Sequence, residues 1–130
     1  MNQFFIILSI GLAGALGALV RYGTSVLSKQ LFGDGFPIAT LVVNVAGCFL
    51  LGMLAHLGSQ QVSEHWRLVI GVGFLGALTT FSTFGVETID RFKDGEMIKA
   101  FLNIVLNVVL GLTAVLIGMW VAKSISGQTT

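Results

Sequence analysis

Charge is absent from four long stretches of this 130-residue chain. Residues 4–20, 38–57, 68–86 and 100–122 contain no Asp, Glu, Lys or Arg and are mostly apolar. A helix rises 1.5 Å per residue, so about 20 such residues cross the hydrocarbon of a bilayer. With their flanks, all four stretches qualify as membrane-spanning helices. Only 10% of the residues are charged and 55% are hydrophobic, and mean hydropathy is +0.92. A soluble domain carries roughly 25% charged residues. Glycine is abundant (17) and Pro37 is the only proline. In lipid, small residues let helix backbones approach closely.

The first stretch has the length of a signal peptide. However, Met1-Asn2-Gln3 carries no basic residue and no clear cleavage site follows, so it is read as a first span continuing past Arg21 towards Leu27. The expected fold is an all-α membrane protein. Its four transmembrane helices cover about residues 4–27, 38–57, 67–90 and 98–122 of a single domain, 1–130. The links at 28–37, 58–67 and 88–99 are too short for a soluble catalytic module. A net charge of +1 leaves no footprint for nucleic acid. The lone Cys48 excludes an intrachain disulfide.

Four spans put both termini on one side, with Arg67 and Lys123. Lys29, Arg91, Lys93 and Lys99 lie on the other side, with Arg21 near it inside helix 1. The positive-inside rule weakly favours external termini, and the bias is small enough to allow insertion both ways. Polar residues within the spans normally face protein or a water-filled cavity. Four helices offer little interior for those present here, so a homodimer is expected.

The polar residues fall on faces. In helix 1, Gly14, Gly17, Ala18 and Arg21 share a stripe. Arg21 has two readings: an arginine snorkelling to the interface, or an electrostatic aid to anions. In helix 2, Asn44 lies on a face with Thr40, Gly47 and Cys48. Spacing alone favours an interhelical hydrogen bond there, worth about 0.6–2 kcal/mol in membranes. Helix 3 carries Gly71, Gly73 and Gly76, then Thr79-Thr80-Phe81-Ser82-Thr83-Phe84-Gly85. Hydroxyl residues compete for backbone hydrogen bonds and bend helices, and unwound backbone at membrane depth is tolerated where it lines a cavity. An interruption around residues 76–80 is therefore expected, against the alternative of an intact helix with hydroxyls bonded to its own carbonyls. Phe81 and Phe84 project on similar sides, either as packing residues or with positive ring edges towards an anion path. In helix 4, Asn103, Asn107, Gly111 and Gly118 form one stripe, a seam or a polar lining. Glu87, one turn after Phe84, has little weight as a mouth residue. No span carries a central carboxylate, and there is no metal-ligand cluster or nucleophile–base pair. Enzymes and proton-coupled carriers need such groups.

Three strings carry a resemblance. Gly73-Phe74-Leu75-Gly76-Ala77-Leu78-Thr79-Thr80-Phe81-Ser82-Thr83-Phe84 resembles the helix-3 signature of the Fluc (CrcB) family of fluoride channels. Thr40-Leu41-Val42-Val43-Asn44-Val45-Ala46-Gly47 is similar to its helix-2 motif. Gly14-Ala15-Leu16-Gly17-Ala18-Leu19-Val20-Arg21-Tyr22 is similar to its helix-1 arginine segment. All three occur in the family's order, over essentially the whole chain.

The resemblance implies an antiparallel, dual-topology homodimer in the bacterial inner membrane, with two pathways that passively export fluoride and so limit its toxicity. It implies that Phe81 and Phe84 present ring edges to fluoride and that Asn44 donates its amide. Thr80, Ser82 and Thr83 are implied polar neighbours. It also implies a structural sodium ion at the dimer interface, bound by backbone carbonyls of Gly76 and Thr79. Family members often carry a tyrosine and a serine four apart on helix 4, where this chain has Asn103 and Asn107. The competing reading is a small dimeric proton-coupled drug or cation exporter, which would need the missing carboxylate. A third is a non-transporting membrane subunit.

Overall fold

The computed structural model describes residues 2–127, and every regular element among them is helical. Residues 1 and 128–130 of the expected domain lie outside the described residues. Helix α1 (Gln3–Phe32) starts where the Asn2 side chain accepts the Phe4 N–H and stops at Gly33, whose φ is 69°. Helix α2 (Ile38–Gln61) follows Pro37 and turns at Gly58, where φ 52° is a conformation that favours glycine. Its straight part, Ile38–Gly58, is the spanning segment.

The third span, Glu64–Lys93, is built from pieces. A short α3 (Glu64–Arg67) leads into a π-helical stretch, Leu68–Leu75, and then α4 (Gly76–Leu78). Thr79 (φ −79°, ψ 155°) and Thr80 (φ −150°, ψ 115°) are extended, and α5 (Phe81–Lys93) starts anew. Local chemistry accounts for the restart. The Thr79 hydroxyl donates to Leu75 O at 3.0 Å. The Thr80 hydroxyl accepts the Thr83 N–H at 3.2 Å, which makes Thr80 the N-cap of α5. Wide π turns are rare in isolation and cluster at functional sites. Nothing in the sequence reading anticipated them here.

Helix α6 (Met97–Ser126) follows a turn through Gly95 (φ 76°). Glu96 clasps that turn, with Arg91 and Lys99 each 2.6 Å from its carboxylate oxygens. The Lys99 and Arg91 donors hold the Glu96 carboxyl below the usual carboxylate range. Arg91 also donates to Asp34 O and so ties the α1–α2 link to the same corner.

All four spans are long and apolar enough to cross a membrane, and most of their apolar surface is exposed. The protein is a multi-pass membrane protein. Its packing partners are α2 with α6, and α1 with the stretch Leu68–Leu75. In lipid these seams depend on close backbone approach rather than on hydrophobic expulsion from water. A Cβ at Gly17 would overlap the Phe74 carbonyl, and one at Gly73 would lie 2.8 Å from Ile10 O. Between α2 and α6, Gly52 rests on Val115 and Gly118 on Phe49 in the same way. The apolar centre is small: Val43, Leu75 and Leu78, with Phe74 against them.

Candidate functional site

Asn44 reaches from α2 to the extended pair in the third span. Its Oδ1 accepts the Thr80 N–H at 2.8 Å, and its Nδ2 donates to Thr80 O at 3.2 Å. One side-chain amide thus takes both polar groups of a residue that has left the helix, which is how that backbone escapes the cost of an unpaired buried amide. Gly47, one turn on, leaves room for the Thr79 methyl, which a Cβ would overlap.

The same Nδ2 donates to Asn107 Oδ1 on α6 at 3.0 Å. Asn107 Nδ2 donates to Asn103 Oδ1 and Asn103 O, both at 3.0 Å. The Asn103 amide donates to the Thr88 hydroxyl at 2.9 Å, and that hydroxyl donates to Phe84 O at 2.8 Å.

Asn44, Asn107, Thr79, Thr80, Phe81, Phe84 and Gly76 line a cavity of about 320 Å³, together with Gly47, Cys48, Leu51, Gly71, Leu75 and Val108. No charged side chain belongs to that lining. The two phenyl rings have centroids 5.5 Å apart and are tilted by 50°, and Phe81 is 83% exposed. A second cavity, of about 310 Å³, lies beyond Thr80 and is lined by Arg21, Tyr22, Ser25, Thr40 and Thr83 among others. Thr80 belongs to both linings. Its hydroxyl is 2.9 Å from Thr83 Oγ1 and 3.4 Å from Ser82 Oγ. Ser25 also lines a third pocket, with Lys29, Asp34, Glu87 and Arg91. Thr40 donates to Glu87 Oε1 at 2.8 Å at this junction. Thr80 and Ser25 are thus the residues shared between successive cavities, from the one that holds Asn44 to the one that holds Lys29 and Arg91.

The structure brings together Asn44, Asn107, Thr80, Phe81 and Phe84. Arg21 and Thr83 lie in the neighbouring cavity, linked through Thr80. Asn103, expected with Asn107 along the path, is instead fully buried behind it, between Asn107 and Thr88. Thr88 was not singled out from the sequence. A threonine four residues after Phe84, in register to bond its carbonyl, was the available signal.

Among the described residues, no group of three His, Cys, Asp or Glu side chains is placed to hold a metal. Two backbone carbonyls are freed by side-chain competition. The Thr80 N–H, which a continuous helix would give to Gly76 O, goes to Asn44. The Thr83 N–H, which would go to Thr79 O, is taken by Thr80 Oγ1. Gly76 is exposed. Neutral, hard oxygens at a helix break suit an alkali cation and would not hold a transition metal.

Comparison with known proteins agrees with these features. The sequence model of the family described as "CrcB-like protein, Camphor Resistance (CrcB)" matches residues 8–119. A protein of Shewanella amazonensis, named "Fluoride-specific ion channel FluC", is 51% identical over 113 residues, covering 86% of this chain and 91% of the relative. A relative of the same name from Dehalococcoides mccartyi is 50% identical over 119 residues, 90% of this chain and 92% of its own. Another, from Vibrio vulnificus, is 47% identical over 126 residues, 95% of this chain and 100% of its own. With a match of this extent along all four spans, the chain belongs to the CrcB family.

Proposed function

We propose that the protein is a fluoride-specific ion channel, not an enzyme, that lets fluoride leave the cytoplasm down its electrochemical gradient. The observation that carries this is a cavity without charged side chains among the spans, lined by Asn44, Asn107, Thr79 and Thr80 together with Phe81 and Phe84. Moving a carboxylate-sized anion into a low-dielectric medium costs of order 20 kcal/mol by an idealised Born estimate, and fluoride, being smaller, costs more. Close donors must replace its water. The neutral donors here are bonded within the protein, the Asn44 amide to Thr80 O and Asn107 and the Thr80 hydroxyl to Thr83, so fluoride would displace neutral partners and be released to them again, whereas a fixed charge at each site would trap it. Ring edges at Phe81 and Phe84 add a weak, non-trapping attraction. Thr80 passes the ion towards Thr83, Ser82 and Arg21. Proton-coupled export is disfavoured because no carboxylate lines the central cavity.

The working unit in this reading is an antiparallel homodimer with two pathways, inserted in both orientations in a cell inner membrane. The exposure of Phe81 supports it, since a second copy would cover that ring and close the cavity wall. Gly76 and Thr79 of each copy would hold a sodium ion between them through their freed carbonyls. That ion would supply fixed positive charge to a seam of backbone oxygens. The freed carbonyls support this assignment.

The test is efflux from liposomes holding only purified protein, with chloride as control. Fast fluoride flux without chloride flux is expected, reduced in Phe81→Ile and Asn44→Asp. No fluoride flux from verified, folded protein would overturn the reading.

A further inference from the structure

A channel needs two openings from its central cavity. Thr80, shared with the cavity of Arg21, accounts for one. Gly71 and Leu51 are shared in the same way with a fourth pocket, of about 510 Å³, which holds Arg67 and Glu64, both exposed. Two positions without polar side chains therefore stand between two spaces whose linings carry polar groups. Gly71 is unlike the glycines that seat the helices. A Cβ at Gly17, Gly52, Gly73 or Gly118 would meet a backbone carbonyl of a neighbouring span. At Gly71 its nearest atoms would be Leu54 Cδ2 at 3.3 Å and Leu51 Cδ1 at 3.8 Å, the far ends of side chains that can turn aside. Close packing of backbones does not require a glycine there. Nor does conformation, since Gly71 is helical and its φ is not positive, and alanine is the better helix former. What the missing side chain leaves is space between the two cavities.

We propose that Gly71 sets the width of a wet neck between the Asn44 cavity and the Arg67 pocket, and so governs how fast fluoride passes the end of its route away from Thr80. This rests on the channel reading above for its transport consequence alone. A narrow apolar neck loses its water and closes to ions, whereas a slightly wider one stays wet and conducts. A methyl group fills about the room of one water, about 30 Å³. Gly71 and Leu51 offer fluoride no side-chain donor, so the ion crosses this stretch with water or not at all. Side-chain volume at residue 71 thus controls passage while the packing of the spans stays indifferent to it.

Substitutions in the full chain, measured in liposomes, separate a neck from packing. Gly71→Ala is expected to lower fluoride flux about threefold and Gly71→Val at least about tenfold, as the neck loses water. Trimming Leu51 should undo this: Gly71→Val combined with Leu51→Ala is expected within about threefold of the parent. Leu51 is about half exposed, so its truncation is mild for the fold. A packing role predicts that Leu51→Ala deepens the loss, and that result, or parent-like flux in Gly71→Val, overturns the proposal. Water itself gives a readout independent of transport. Magnetisation transfer from water to the Gly71 Hα protons, identified by their loss in Gly71→Ala, should be seen by solid-state NMR of the parent in liposomes. A dry Gly71 rejects the neck. A parent that passes no fluoride defeats the channel reading, and the water signal then decides the neck by itself.

Discussion

Both ends of the Asn44 amide are committed to the backbone of a single residue thirty-six positions away. Asn44→Ala would leave a buried N–H and C=O of Thr80 without partners, a loss of about 1–3 kcal/mol. A lower thermal midpoint in detergent, together with lost fluoride flux, is the expected result. Phe81 contrasts with it. Because the ring is 83% exposed in the single chain, Phe81→Ile should leave the fold of each subunit intact, as judged by circular dichroism, while lowering flux several-fold. Spacing alone reads Asn44 as an interhelical hydrogen-bond residue, and it does bond across helices. Spacing leaves the paired rings between packing and a path, and only the resemblance to a family put both residues on a pathway. Asn103 was harder to place. Periodicity puts it on the stripe of Asn107, but a stripe is a line, and the cavity touches only one turn of it. What lies behind that turn depends on α5, and on a threonine that periodicity does not mark.

Among the elements, glycine contacts fix how closely the spans approach. A methyl at Gly118 would meet the Phe49 carbonyl and lie 3.0 Å from Met53 N, backbone atoms that cannot turn aside. Gly118→Ala should therefore force α2 and α6 apart and cost about 1–3 kcal/mol. Gly111→Ala is the control, since its nearest neighbour would be Cys48 Sγ at 3.5 Å, an ordinary contact. Unfolding midpoints of the two variants should separate clearly. The spans themselves were legible because charge is excluded from hydrocarbon for reasons that hardly depend on neighbours. The interior of the third span was less so. Its glycines and threonines announce weak helix formers, but the capture of the Thr80 and Thr83 amides by side-chain oxygens, and the wide turns over Leu68–Leu75, follow from tertiary partners.

For the whole molecule, the weak asymmetry of basic residues carries the prediction. Two lysines added to the link carrying Arg67 should bias the chain to insert with that side in the cytoplasm. Two added beside Lys93 should bias it the other way. If the working unit is antiparallel, each biased variant alone should fail to protect fluoride-sensitive cells, and co-expression of the two should restore resistance. Protection by either variant alone would argue for a parallel unit. The asparagine row bears on the same point. Amides bonded head to tail form an electric dipole, which here starts at the cavity and ends behind it, so a single pathway lies beside a polar element and has a preferred sense for current. If the working unit is antiparallel, its inverted partner carries the same dipole reversed. The pair as a whole should then show no rectification, with fluoride currents of equal size at equal and opposite voltages, whichever side of the membrane each copy happened to enter from.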